Sequence, residues 1–297
     1  MKHIRLILSS VITFSLLGSI SFGGSLESTF LSKTNQFIDR VTASFTNLIK
    51  ENDRVKYLDL KVDVKESLKP TISMTNVNRV IENANSTFFN QNSLSLHDND
   101  QTINFGLGYR SLINDDKIIL GGNVFLDYSF DDQHQRQGVG VEAISSVFDV
   151  RGNYYDATSG IQALGDGSTE EALDGWDARL DYHLPVSNDV RVFAGLFDFE
   201  NAAGSFELEG EKYGLSGRID RLSFEVGYVD DNKTGDGSFA NITYIFSLGD
   251  NKVKKSNSTG NFMEYVSVRN RLYEPVKREN KIRVVKINAS NVVISGY

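Results

Sequence analysis

Apolar residues recur along this chain with two different periods. Between Ser25 and Asn52, the residues Leu26, Phe30, Leu31, Phe37, Ile38, Val41, Phe45, Leu48 and Ile49 fall at helical spacing. Ser25 stands where an N-cap belongs and Glu27 in the first turn, so the pattern predicts one amphipathic helix of about seven turns. Its polar face is not strongly basic, which favours packing against protein over lying on a membrane surface.

After Asp53 the period drops to two. Tyr57-Leu58-Asp59-Leu60-Lys61-Val62-Asp63-Val64 alternates apolar with mostly charged residues, and the same alternation returns along the chain. The clearest case sets Trp176, Ala178, Leu180, Tyr182 and Leu184 against Asp177, Arg179, Asp181 and His183. With turns placed at Gly, Asn, Asp and Ser clusters, about twelve strands are predicted, at 56–65, 69–77, 86–96, 102–111, 116–128, 135–145, 147–158, 174–184, 189–200, 205–219, 221–230 and 238–247.

Alternation alone leaves open whether the apolar face points into a sandwich core or out to lipid. Three features favour a transmembrane, antiparallel up-and-down β-barrel over a secreted sandwich. The strands run about ten residues, the length needed to cross a ~25 Å apolar band. The other face carries full charges of both signs: Asp59, Lys61, Arg110, Asp127, Glu142, Asp149, Arg151, Asp177, Arg179, Asp181, Arg218 and Glu225. Tight connections (Ser145-Ser146, Pro185 to Asn188, Arg221) alternate with longer polar ones (Asp131 to His134, Thr158 to Asp174, Asp230 to Gly237). In a barrel, Leu58, Leu60, Leu120, Val139, Val141, Val150, Leu180, Val192, Leu215, Phe224 and Val226 would face acyl chains, with Tyr109, Tyr128, Tyr154, Trp176, Tyr182 and Tyr228 as interfacial girdles.

The first residues read as a targeting segment. Lys2, His3 and Arg5 precede an apolar run from Leu6 to Ile20 that ends in Ser21-Phe22-Gly23, the pattern of a secretory signal peptide over 1–23. No later window has ~18 consecutive apolar residues, so nothing else reads as a spanning helix. Of 297 residues, 40% are hydrophobic and none is cysteine, which excludes disulfide scaffolds, thiolate zinc sites and thiol nucleophiles. A net charge of −8 without a basic stripe argues against nucleic acid as a partner.

Catalytic chemistry finds little support. His183 beside Asp181, or Glu142 with Asp149, could be written as an acid/base pair, yet charged residues pairing across a wet lumen account for them as well. No nucleophile motif, phosphate loop or metal-ligand spacing accompanies them, so neither enzyme activity nor a cofactor is expected. Gly106-x-Gly108 and Gly138-x-Gly140 alternate within strands and read as relief of crowding on the inner face.

An ordered set of segments carries a resemblance. Asn104-Phe105-Gly106-Leu107-Gly108-Tyr109-Arg110 is followed by Asn114-Asp115-Asp116-Lys117, Gly122-Asn123-Val124-Phe125-Leu126-Asp127-Tyr128, His134-Gln135-Arg136 and Gly138-Val139-Gly140-Val141-Glu142. Asn153-Tyr154-Tyr155, Leu173-Asp174-Gly175-Trp176-Asp177 and Leu184-Pro185 follow in turn. Over roughly Lys56 to Leu248 the chain resembles the β-domain of inverse autotransporters, the intimin/invasin family of outer-membrane adhesins. The resemblance implies a twelve-stranded barrel at 56–248 with its N-terminus in the periplasm and a periplasmic helical region at 24–55. It also implies a post-barrel linker at 249–297 that threads the pore, with Arg271, Tyr273, Pro275, Lys277, Arg278 and Asn280 among its residues. A short helix is expected from Phe262 to Tyr273, ending before Pro275. About fifty residues follow the barrel, fewer than an immunoglobulin-like passenger domain needs. A short exported tail, a passenger on another chain and a truncated gene product all remain open, as does a passive or structural barrel that secretes nothing. The implied partners are outer-membrane lipid, the barrel assembly machinery and periplasmic chaperones, with a separate passenger or host-surface ligand left open. The implied location is a Gram-negative outer membrane.

Overall fold

The computed structural model describes residues 53–65, 70–97, 100–131, 133–165, 167–186, 189–233, 235–246, 264–288 and 291–295. The expected signal peptide and amphipathic helix lie outside them. Among the described residues, fourteen strands precede the linker. They are β1 (Val55–Lys65), β2 (Thr71–Glu82), β3 (Ser86–His97), β4 (Asp100–Ile113), β5 (Ile118–Ser129), β6 (Gln135–Ser145), β7 (Phe148–Ala157), β8 (Gln162–Ala163), β9 (Thr169–Ala172), β10 (Asp174–His183), β11 (Asp189–Glu200), β12 (Glu207–Ile219), β13 (Leu222–Asp231) and β14 (Gly237–Ile245). After the linker come β15 (Val284–Asn288) and β16 (Asn291–Ser295).

Twelve strands, β1–β7 and β10–β14, form a closed antiparallel barrel in sequence order. The ring is closed by β14 on β1, in register from Asp59 opposite Ile245 to Lys65 opposite Phe239. Closure leaves no sheet edge, the condition for a sheet to cross hydrocarbon. The strands follow the period-two runs because each residue type has one acceptable side. From β4 to β7 the burial pattern alternates along most of each strand, with the usual polarity of a protein reversed. Leu126 and Val141 on the outside are 63% and 69% exposed, whereas the inward Arg110 and Asp149 are 0% exposed. Apolar-out and charge-in is the arrangement for a wall facing lipid.

The outer wall of β1–β3 departs from this rule. Leu58 and Leu60, expected to face lipid, are buried. On the outer faces of β2 and β3, Asn76, Asn78, Asn90 and Asn92 hydrogen bond in a row, with Asn92 Nδ2 donating to Asn76 Oδ1 at 3.0 Å and Asn78 Nδ2 to Asn90 Oδ1 at 3.1 Å.

The two rims differ. The tight turns at 83–85, 114–117, 146–147 and 220–221 share one rim, here the proximal end, with the start of β1 and the finish of β14. At 114–117, Asn114, Asp115 and Asp116 all take positive φ (52°, 53° and 66°), which Asn and Asp accept more readily than other side chains. The longer connection 158–173 lies at the distal end, and it is not a plain loop. It contains the hairpin β8–β9, to which β15 and β16 add, giving a second sheet in the order β16-β15-β9-β8. Nothing in the alternation of Thr169-Glu170-Glu171-Ala172 announces that strand.

Inside the barrel, aromatic rings lie over glycines of the neighbouring strand. Phe125 is the register partner of Gly106 and Phe89 of Gly108, and each ring occupies the space a Cβ would need. Phe199 on Gly175, Phe197 on Gly210 and Phe193 on Gly214 repeat the pattern.

Candidate functional site: the threaded lumen

The chain after β14 returns through the barrel. Near the proximal rim, Val266 N–H donates to Ser146 Oγ (2.9 Å) and Val268 N–H to the Asp116 carbonyl (2.7 Å). Arg269 clamps the same rim: Nε and Nη2 reach the Asp116 carboxylate at 2.8 and 2.9 Å, and Nη1 reaches the Ala84 carbonyl at 2.6 Å. That hydrogen-bonded carboxylate holds the Arg269 guanidinium above its ordinary range. The expected helix over Phe262–Tyr273 reduces, among the described residues, to a single 3-10 turn at Arg269–Arg271. Backbone groups that a helix would pair internally are taken by the barrel turns instead.

Beyond that turn the linker climbs the lumen, anchored by alternating apolar and ionic contacts. Val268 and Leu272 pack with Leu112, Ile119 and Ile144, while Val276 packs with Val77, Phe89 and Phe125. Near the distal end, Val285 joins Tyr155, Leu173, Phe197, Phe199 and Leu208. The polar anchors are charge-assisted, and several are two-pronged. Arg271 Nη1 and Nη2 meet Asp149 at 2.9 and 2.6 Å, and the same guanidinium pairs with Glu274. Arg278 Nη1 and Nη2 meet the two oxygens of Asp127 at 2.8 and 2.7 Å, with its guanidinium 4.2 Å from the Phe125 ring centre. Lys277 Nζ reaches Asp181 at 3.1 Å, and Tyr273 Oη meets Glu82 and Thr87 at 2.8 and 2.9 Å. Backbone carbonyls are used as well: Arg110 Nη1 donates to those of Leu272 (2.8 Å) and Glu274 (2.6 Å), and Asn104 Nδ2 to that of Asn280 (2.8 Å).

The other lumenal charges complete a network across the wall. Arg110 Nε donates to Glu142 at 2.6 Å, and Arg151 bridges Asp149 and Asp181 at 3.3 and 3.2 Å. Arg179 joins Asp181 to Glu225, both by paired hydrogen bonds. Asp177 accepts from Asn153 and from the Tyr155 hydroxyl. Asp59 accepts from Tyr57 Oη (2.7 Å), Lys61 pairs with Asp63 (3.2 Å), and both Asp59 and Lys61 face open lumen rather than the linker. Arg218 sits at the proximal rim on the Asp220 carbonyl (3.1 Å), apart from the network. Pro275 lines the open part of the lumen. His183 Nε2 lies 3.3 Å from Asp149, not from Asp181, so it belongs to the Arg271 anchor.

Arg136, Gln91 and Tyr155 carry linker contacts, although none of them was among the expected lumenal charges or linker residues. Arg136 Nη2 donates to the Glu279 carbonyl (2.6 Å), and its Nε donates to Asp127 (2.9 Å). Gln91 Oε1 accepts from Val276 N–H (2.7 Å), and Tyr155 Oη accepts from Glu279 N–H (2.7 Å). Arg136 was findable, since Arg136, Gly138, Gly140 and Glu142 share one face of β6. Gln91 stands in the polar run Asn90-Gln91-Asn92-Ser93, where no alternation marks the inner face.

A closed barrel with an apolar outer wall and a charged, threaded lumen is an outer-membrane β-barrel. The chain matches the family model "Inverse autotransporter, beta-domain" over residues 25–280 and belongs to that family. It is 29% identical over 129 residues to an attaching and effacing protein homolog of Escherichia coli (strain K12), an alignment spanning 43% of each chain. Among solved structures, it resembles one described as "Unveiling the Mechanism Behind the in-meso Crystallization of Membrane Proteins". The TM-score is 0.67 at 18% identity, covering 78% of this chain and all of the other. An outer membrane channel from Pseudomonas putida F1 is similar at TM-score 0.50 and 9% identity, over 65% of this chain and 96% of its own. Both structural likenesses are of fold alone.

Proposed function

We propose that the barrel is a translocator and anchor of inverse-autotransporter type, exporting its own C-terminal segment and then holding it at the surface of a Gram-negative cell. The reading rests above all on the path of the linker, which leaves β14 at the proximal end and pairs with a distal loop after crossing the lumen. On this reading residues 1–23 are a signal peptide, 24–55 stay in the periplasm, and 249–297 are the linker and displayed tail. Outer-membrane lipid, periplasmic chaperones and the barrel assembly machinery are its partners. Adhesion would belong to whatever the barrel displays, on this chain or a separate passenger, and not to the barrel.

The test is where Tyr297 resides. An epitope fused after it should be labelled on intact cells and shaved by external protease, while heat-modifiable gel mobility reports a folded barrel. Labelling only after the outer membrane is opened would overturn export and leave a passive or structural barrel.

A further inference from the structure

The linker fills only part of the lumen. The contacts just described hold it mainly against β3–β7, and a cavity of about 440 Å³ remains on the side of β1 and β10–β14. Five inward side chains of this wall stand in one row across neighbouring strands. Ser223 of β13 is opposite Thr243 of β14, Thr243 opposite Lys61 of β1, Lys61 opposite Ser73 of β2, and Ser73 opposite Ser95 of β3. All five line the cavity, as does Asn241, the next inward residue of β14.

The charges on this side are largely matched within the protein. Lys61 pairs with Asp63 at 3.2 Å, Arg191 with Asp189 at 2.8 Å and Arg179 with Glu225 at 2.7 Å. The neutral groups are not matched. Among the described residues, the hydroxyls of Ser73, Ser95, Ser223 and Thr243 and the side-chain amide of Asn241 make no hydrogen bond to protein. Ser95, Thr243 and Asn241 are only 3%, 7% and 8% exposed, and the side they leave open is the cavity. Buried polar groups without partners are costly, so these need water or a ligand.

Their chemistry narrows the choice. Hydroxyls and amides both donate and accept, whereas a carboxylate only accepts and an ammonium group only donates. A row of such groups is matched best by a ligand whose own groups do both, which is the property of alcohol hydroxyls. Phe193 and Phe239, ring centres 6.3 Å apart, line the same cavity and offer apolar surface to the C–H groups of a ring. Small-molecule sites measure roughly 300–1,000 Å³, so this space suits a molecule of one or two sugar rings.

We propose that the free half of the lumen binds a neutral polyhydroxylated molecule of that size, between the seated linker and the row from Ser223 to Ser95. The site is separate from export, and it requires no passage of the ligand through the barrel.

Glucose and sucrose serve as probes, titrated calorimetrically into the full-length protein in a detergent without a sugar headgroup. At least one should bind saturably, one molecule per chain, with an affinity that added KCl leaves unchanged, because salt screens charges and not neutral hydrogen bonds. Ser95→Ala/Thr243→Val removes two hydroxyls at little change of shape and should weaken binding about tenfold. Ser73→Trp, which fills the cavity, should abolish it. Heat-modifiable mobility shows which variants are folded, and either one suffices for the comparison. The proposal is overturned by saturable binding of neither sugar, by binding of glucuronate alone, by an affinity that falls with salt, or by binding that a folded variant leaves intact.

Discussion

Arg278 and Asp127 meet side-on, Nη1 to Oδ1 at 2.8 Å and Nη2 to Oδ2 at 2.7 Å, across 151 residues of chain. Arg136 shares the carboxylate and Phe125 lies under the guanidinium, so the two side chains are hydrogen bonded, stacked and sealed from water. Breaking such a pair by removing one partner costs about 3–5 kcal/mol, because the remaining charge stays buried. Arg278→Ala should therefore make the linker markedly more sensitive to protease in detergent, while barrel strands stay protected. Arg278→Lys should fall between, since an ammonium keeps the charge but loses the two-pronged geometry and the ring contact.

Asp149 is a convergence point for Arg271, Arg151, Arg191 and His183. Asp149→Asn preserves its shape and removes the only charge common to these groups. The expected outcome is a larger loss than for Arg278→Ala, read as a lower temperature at which the folded gel band disappears. Adding Arg271→Leu should recover part of it, with a coupling of about 0.5–3 kcal/mol.

Packing inside the wall gives an independent check. A methyl group at position 106 would have to share space with the Phe125 ring. Gly106→Ala should destabilise the barrel by about 1–3 kcal/mol in urea unfolding from lipid vesicles. Phe125→Leu in the same chain should restore most of that loss, which a simple glycine flexibility effect would not allow.

The outer wall predicts a different sensitivity. Val141 is exposed on β6, and Arg placed there would meet hydrocarbon, at a cost of about 2–4 kcal/mol near the bilayer midplane. Val141→Arg should slow folding into vesicles and lower the urea midpoint, while Val141→Ile should leave both unchanged.

At the distal end, β15 and β9 are joined in register from Val284 opposite Ala172 to Ile287 opposite Thr169. Val285→Pro removes a backbone donor and fixes φ, so it should break this pairing. On the export topology proposed above, external protease should then cut near β15 on cells, with the barrel's heat-modifiable band intact.

The barrel was readable because the alternation of most of its strands is local, announced within about ten residues, and β6 and β11 occupy the predicted spans, 135–145 and 189–200. What was not readable depends on distant partners. Thr169-Glu170-Glu171-Ala172 becomes a strand because Val284–Asn288 arrives beside it, more than a hundred residues later. The linker's basic residues stood out by charge, whereas Val268, Leu272 and Val276 did not, since three apolar residues four apart look like a short helix until a lumen is available to receive them. The run from Glu264 to Val268 shows the same limit, because its backbone partners belong to turns of the barrel.

Among the described residues, the linker's hydrogen bonds and ion pairs named above fall on β2–β7, β10 and β11, while the ring is zipped shut by β1 against β14. Seam and bed are thus different parts of the wall. A half-assembled sheet, still open between its first and last strands, already presents Asp127, Arg136 and Asp149 to an incoming chain. The threaded state therefore does not require a segment to be pushed through a finished hole: the wall can gather the linker first and close around it afterwards.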